Sequence, residues 1–251
     1  MRIGLIGAGN MASALARGLG EPVVVSDVDR PRAEALAREV GGEVAESNAA
    51  AAAAVDAVVL AHKPAQLGAV ADEIRDEAHA LISILGGTPV AVVEQAYPNR
   101  PVYRFMPSIP VEVRQGVVCY VPGTRAGDGP EGEIRELFGR LGTLIELPEP
   151  LIDAGTAVMS CGPAFYALVV EALVDAGVAH GLAPDVAAKM AVDTLAGTAA
   201  VLRERGNDTH DLRRRVTSPG GMTARGLAAL ERGGVRAAFE DAVAAVVGGG
   251  R

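Results

Sequence analysis

Near the end of the chain the run Thr217–Gly226, TSPGGMTARG, places a Pro-Gly-Gly between two helix-rich stretches. Pro219 fixes one backbone angle, while Gly220 and Gly221 allow positive φ and close backbone approach, so successive N–H groups can turn inward as an anion-binding nest. Thr223 then stands at a helix start, with Ala224, Leu227, Ala228 and Leu230 at helical spacing behind it. The first N–H groups of that helix point at whatever the loop holds, and a small carboxylate suits them. The bland alternative is an ordinary capping turn. Of the two cysteines, Cys119 and Cys161, neither has a partner at metal-ligand spacing, and Cys161 has no His or acid beside it to make it a nucleophile.

A second chemical signal opens the chain. RIGLIG, residues 2–7, is a short apolar strand pattern that runs directly into GAGNMASALARGL, which has helical spacing. Gly7 and Gly9 sit where a strand-turn-helix must be tight and must approach a pyrophosphate, Asn10 and Met11 follow in the same turn, and Ala12 replaces the third glycine. Gly20 ends the helix, residues 22–26 form the next strand, and Asp27 arrives at the position that meets an adenosine ribose. The Asp27 carboxylate favours the free 2′-hydroxyl of NADH; Ser26, Arg30 and Arg32 could instead receive the phosphate of NADPH, so both cofactors stay open. Asp27 can also be read as a solvated strand end or as part of a helix cap with Asp29.

The elements that position these groups alternate strand and helix. A helix over 31–40 closes at Gly41-Gly42, residues 43–45 form a short edge, and Asn48 is expected to cap the alanine run 49–55. The strand over 57–61 ends in His62-Lys63-Pro64, which turns the chain out over the carboxyl edge, so these three are expected beside the cofactor. The strand over 81–85 leads to Gly86-Gly87, where close approach of the nicotinamide end is expected, and to a helix toward Tyr97. After the strand over 102–105, Pro107 and Pro110 are expected to hold an extended segment unfit for a central strand. Strands over 116–121 and 143–147 flank a helix over 132–141.

Beyond Pro148-Glu149-Pro150 the pattern turns helical, with Gly162-Pro163 expected to kink an apolar helix and a further helix over 185–203. These faces call for a second copy of the chain. The fold class expected is an α/β dinucleotide-binding domain with a mostly parallel sheet over 1–150, then an all-α domain over 151–251. With 49% hydrophobic residues among 251 and a net charge of −8, the chain has material for a core and no basic stripe for nucleic acid. Two cysteines, no signal-peptide pattern and no uncharged apolar run near 20 residues point to a cytoplasmic protein outside membranes.

Taken together, GAGNMA (7–12), Lys63-Pro64, RFMPSIP (104–110), GPAF (162–165), EALVDAGVAHGL (171–182) and VTSPGGMT (216–223) resemble the pyrroline-5-carboxylate reductase family across nearly the whole chain. The resemblance implies a Rossmann domain, a helical dimerisation domain that builds a dimer or a decamer, and an active site between nicotinamide and the SPGG loop. It implies reduction of the cyclic imine 1-pyrroline-5-carboxylate to L-proline with NADPH or NADH. Carried over by position, Ser218, Gly221, Met222 and Thr223 hold the imino-acid substrate with Val216 alongside, and Asn48 contacts the cofactor. Hydride transfer to a C=N bond requires no nucleophile and no metal, so Thr223 is assigned to the ring nitrogen as the catalytic group. The chain departs from the family at Met159-Ser160-Cys161, at Ser108 and at His62. A reductase of a six-membered or sulfur-containing imine, or a non-catalytic dinucleotide sensor, therefore stays open.

Overall fold

Short β-branched runs need partners on both edges, and the first part of the chain supplies them in one eight-stranded sheet. The computed structural model describes residues 1–248. Its strands are β1 (Ile3–Ile6), β2 (Val24–Ser26), β3 (Glu43–Val44), β4 (Ala57–Leu60), β5 (Leu81–Ser83), β6 (Val102–Pro107), β7 (Gly116–Pro122) and β8 (Gly142–Glu146), in the order β3-β2-β1-β4-β5-β6-β7-β8. Every neighbouring pair is parallel except β6 with β7. Parallel strands need crossovers, and the helices α1 (Asn10–Leu19), α2 (Arg30–Val40), α3 (Asn48–Ala53), α4 (Leu67–Ile74), α5 (Val90–Ala96) and α6 (Glu131–Gly139) lie between successive strands.

Side chains that alternate along a strand divide between the two sheet faces. On one face Leu5 and Val59 join Leu15, Tyr103 and Phe138; on the other Val58 and Leu60 join Ile74, Leu81 and Tyr97. Phe105 stacks between Tyr120 and Phe138 at ring-centroid distances of 4.7 and 4.1 Å, fixing the antiparallel β6–β7 hairpin against α6. Helix α7 (Ile152–Met159) packs on the far end, where Ile152 meets Met106, Cys119 and Val121.

The chain forms two compact units, Met1–Pro163 and a second from Ala164 onward. The second contains α8 (Gly162–Ala179, which begins at the boundary), α9 (Pro184–Glu204), α10 (Thr209–Val216), α11 (Met222–Arg232) and α12 (Val235–Gly248).

Three expectations are corrected. Pro107 ends β6, an interior strand, opposite Val118; the next residue, Ser108, restores the pairing by donating its N–H to Val117 O at 3.0 Å, and its Oγ accepts from Val117 N at 2.9 Å. A proline at the last strand position removes no bond the sheet needs. Ile109–Val113 then forms a 3-10 turn instead of an extended segment. Gly162-Pro163 does not kink a helix: α7 stops at Met159 and Gly162-Pro163 opens α8, where the missing proline N–H costs nothing. Against the expectation of no membrane-length run, Glu149–Ala179 is long and apolar enough by length and composition to cross one. That run is interrupted between α7 and α8 and carries Glu171 and Asp175 within α8.

Candidate cofactor cleft and substrate loop

β1 ends at Ile6 and α1 starts at Asn10, so Gly7-Ala8-Gly9 must turn the chain within three residues. Gly7 does so at φ 107, and a Cβ there would lie 2.6 Å from Ala61 O at the end of β4. Its smallness is demanded by the neighbouring strand. Gly9 is the N-cap of α1, in extended conformation with no side-chain cap, and a Cβ there would meet nothing within 4 Å. It faces open space above the unpaired first N–H groups of α1, which is where an anion is held.

That space is a cleft of about 710 Å³ at the carboxyl ends of β1, β2 and β4. It brings together Gly7, Gly9, Asn10, Met11, Ser26, Asp27, Asn48, His62, Lys63 and Pro64, along with Ala8, Val28, Arg32 and Gln66. Two expected residues lie elsewhere. Arg30 is tied along α2 by its Nε to Glu34 Oε1 at 3.0 Å, and Gly86 sits in the exposed turn after β5.

The cleft is wired by backbone and amide bonds. Asp27 Oδ2 accepts from Ala8 N at 2.6 Å and Oδ1 accepts from Asp29 N at 2.8 Å, so the carboxylate clamps the glycine turn to the end of β2. Asp29 caps α2 by accepting from Arg32 N. Asn48 is not the cap of α3 as expected. Ser47 takes that role, accepting from Ala50 N at 3.0 Å, and this frees the Asn48 side chain. Its Oδ1 accepts from Ser26 Oγ at 2.7 Å and its Nδ2 donates to Glu73 Oε2 at 2.7 Å. Glu73 and Gln66 were not foreseen. Gln66 Oε1 accepts from Lys63 N at 3.0 Å, a back-bond that a Gln three residues after Lys63 could have signalled.

His62 is half-buried, with Nδ1 2.9 Å from Lys63 O. The neutral ring that donates through Nδ1 leaves Nε2 as a bare acceptor, and Nε2 is buried without a partner. Burial pushes the imidazole pKa below its usual value, with the bond to Lys63 O opposing part of that shift. An orphaned acceptor, an open glycine face and uncapped helix N–H groups all fit a dinucleotide carrying phosphate and ribose hydroxyls.

Arg104, in the RFMPSIP segment, is 3% exposed and ion-paired to Glu149. Glu149 Oε1 also accepts from Val90 N at 3.2 Å, so this pair pins the Pro148-Glu149-Pro150 break to β6 and to the start of α5.

In the second unit Gly220 takes φ 69 and Gly221, the N-cap of α11, donates to Ser218 O at 3.0 Å. Arg225 closes the loop from the far side by donating Nη1 to Gly220 O at 2.9 Å. No side chain caps α11, so the N–H groups of Met222 and Thr223 in its first turn are left for a guest. Val216, Ser218, Met222 and Thr223 are exposed around this turn, and Thr217 Oγ1, which the sequence reading passed over, is buried without a partner.

Residues 149–249 match the model for pyrroline-5-carboxylate reductase dimerisation, and residues 2–87 match that for NADP oxidoreductase, coenzyme F420-dependent. The pyrroline-5-carboxylate reductase of Synechocystis is 34% identical over 98% of this chain and 95% of its own length. That of Methanosarcina acetivorans is 35% identical over 96% and 94%. Among solved structures, 1-pyrroline-5-carboxylate reductase from Streptococcus pyogenes superposes with a TM-score of 0.91 at 27% identity, covering 100% of this chain and 98% of that one. The Plasmodium falciparum pyrroline carboxylate reductase with NADP bound gives 0.87 at 27% identity over 100% and 97%. With a dimerisation-domain match over residues 149–249 and relatives 34% and 35% identical over nearly its whole length, the chain belongs to the pyrroline-5-carboxylate reductase family.

Proposed function

We propose that this chain reduces 1-pyrroline-5-carboxylate to L-proline with NADH or NADPH, in the cytoplasm. The observation that carries this reading is the pair of helix starts without a side-chain cap, Gly9 before α1, which faces open space, and Gly221 before α11, which sits against Ser218. One suits a pyrophosphate and the other a small carboxylate. When bound, the reduced nicotinamide supplies the hydride that the C=N bond accepts.

The residues position and exclude. Gly7, Gly9, Asn10 and Met11 cradle the pyrophosphate; Ser26, Asp27 and Asn48 hold the ribose end; His62, Lys63 and Pro64 border the cleft where β4 ends. Arg30 and Gly86 lie outside this lining and are given no part in holding the dinucleotide. Ser218, Gly220, Gly221 and Met222 hold the imine's carboxylate with Val216 beside them, and the Thr223 hydroxyl hydrogen-bonds the ring nitrogen and steadies its proton. Residues 1–150 form the dinucleotide domain and 151–251 the substrate and dimerisation domain, and the exposed apolar helices assemble the protein as a dimer or as a decamer.

The test follows NADH and NADPH oxidation with the five-membered imine, and beside it a six-membered one. Preference for the five-membered ring supports the reading, and the reverse overturns the substrate. Thr223→Ala is expected to lower kcat/KM by roughly 10- to 100-fold, the cost of one hydrogen bond to a charged group, with cofactor affinity unchanged. Equal loss of both would reduce Thr223 to a helix cap.

A further inference from the structure

We infer that the cleft rejects a phosphate on the adenosine ribose, so that this chain takes NADH in preference to NADPH, with Asp27 as the discriminating residue. The inference rests on the cofactor reading above and adds the choice between the two dinucleotides.

The end of the second strand in a doubly wound sheet is where the adenosine ribose is met. Asp27 stands there, held from two sides by Ala8 N at 2.6 Å and Asp29 N at 2.8 Å. A carboxylate so clamped cannot swing aside for a second anion. Each of its oxygens still has a lone pair, to which a vicinal diol can donate; a phosphate brings only acceptors and like charge.

The residues that could have welcomed a phosphate are spent. Ser26 is buried and its hydroxyl donates to Asn48 Oδ1 at 2.7 Å. Arg30 is bound to Glu34 and does not line the cleft. Arg32 does line it, but lies 3.3 Å from the Asp29 carboxylate. Between residues 27 and 34 Asp27, Asp29 and Glu34 outnumber Arg30 and Arg32, and the cleft's remaining cation, Lys63, stands at the end of β4 rather than on this segment. Between Asp27 and Asp29 the cleft offers Val28, 94% exposed, where a cation would be needed to reverse that balance.

The experiment titrates the full-length protein separately with NADH and NADPH, following the fluorescence of the reduced nicotinamide with no imine present. NADH is expected to bind at least about 10-fold more tightly, with the gap narrowing as salt rises, because a partly exposed like-charge repulsion is screened. Val28→Arg adds a cation and leaves the clamp intact, so it should narrow the ratio at least about threefold by tightening NADPH. Asp27→Asn removes the charge and should narrow it too; if that variant does not fold, Val28→Arg still reads the charge balance. Equal affinities, tighter NADPH binding, or a ratio unmoved by Val28→Arg overturns the inference. Because no imine is present, the two readings fail separately. Selective NADH binding without imine turnover sinks only the proposed reaction, and imine turnover with tighter NADPH binding sinks only the selectivity.

Discussion

Leu5, Leu15, Leu60, Leu81 and Ile82 in the first unit are fully buried, whereas Tyr166, Leu168, Leu173, Met190 and Val192 in the second are each more than half exposed. Among the described residues from Ala164 onward only Ala187 is buried. Both units are rich in apolar residues, so composition does not separate them. The difference lies in geometry. A twisted parallel sheet offers two faces that its own crossover helices cover, while α8 carries only Glu171 and Asp175 as charges around its whole circumference. A helix apolar on several sides needs neighbours on several sides, and a short unit cannot supply them all from one chain.

If a second copy covers these faces, paired acidic substitutions there should have the largest effect. Leu168→Asp with Leu173→Asp removes about 1.5–3 kcal/mol of burial per side chain and sets like charges against each other across the interface. Light scattering should show the mass falling to that of one chain, with imine turnover lost and cofactor binding by the first unit retained. An unchanged mass would break the contrast between the units.

The next largest effect belongs to the first unit. Glu149→Ala leaves the Arg104 guanidinium, 3% exposed, buried without its counter-charge, which costs about 3–5 kcal/mol. Denaturant unfolding should report this, and Glu149→Leu with Arg104→Met should recover most of it. If the single substitution is neutral, the pair is not what pins the break at 148–150 to β6.

Much of this was readable in advance, and the exceptions share a cause. Gly7, Gly9 and Asp27 were legible because a strand, a tight turn and a helix leave few residue types possible at each step. The loop at Ser218–Thr223 was legible because Pro-Gly-Gly has no role inside a helix. What could not be read is what depends on a distant partner. Ser47 and Asn48 are both good caps, and only Ser26 and Glu73, far away in sequence, decide which of them is freed. Pro107 looks unfit for an interior strand until Ser108 is seen to complete the pairing with Val117.

A smaller effect separates two glycines in one turn. Gly7→Ala forces a side chain at φ 107 into Ala61 O and should cost on the order of 1–3 kcal/mol of stability, read as a lower unfolding midpoint. Gly9→Ala meets nothing in the protein and should leave stability unchanged, while weakening dinucleotide binding roughly 10-fold, equivalent to about 1.4 kcal/mol. If Gly9→Ala leaves binding untouched, the open face above α1 is not where the pyrophosphate lies.

The smallest effect concerns His62, whose imidazole pKa burial lowers in the folded protein. Above the unfolded value of about 6.5 both states are neutral and the ring contributes no pH dependence. As the pH falls below that value the unfolded chain takes up the proton first, so stability declines until the folded pKa is reached and then levels off. His62→Phe keeps an aromatic ring and removes the titration. The loss of unfolding free energy between pH 7.5 and 5.5 should therefore be smaller in the variant than in the parent. An identical pH slope in both proteins would mean that Nε2 is reached by water and does not sit as a bare acceptor on the cleft wall.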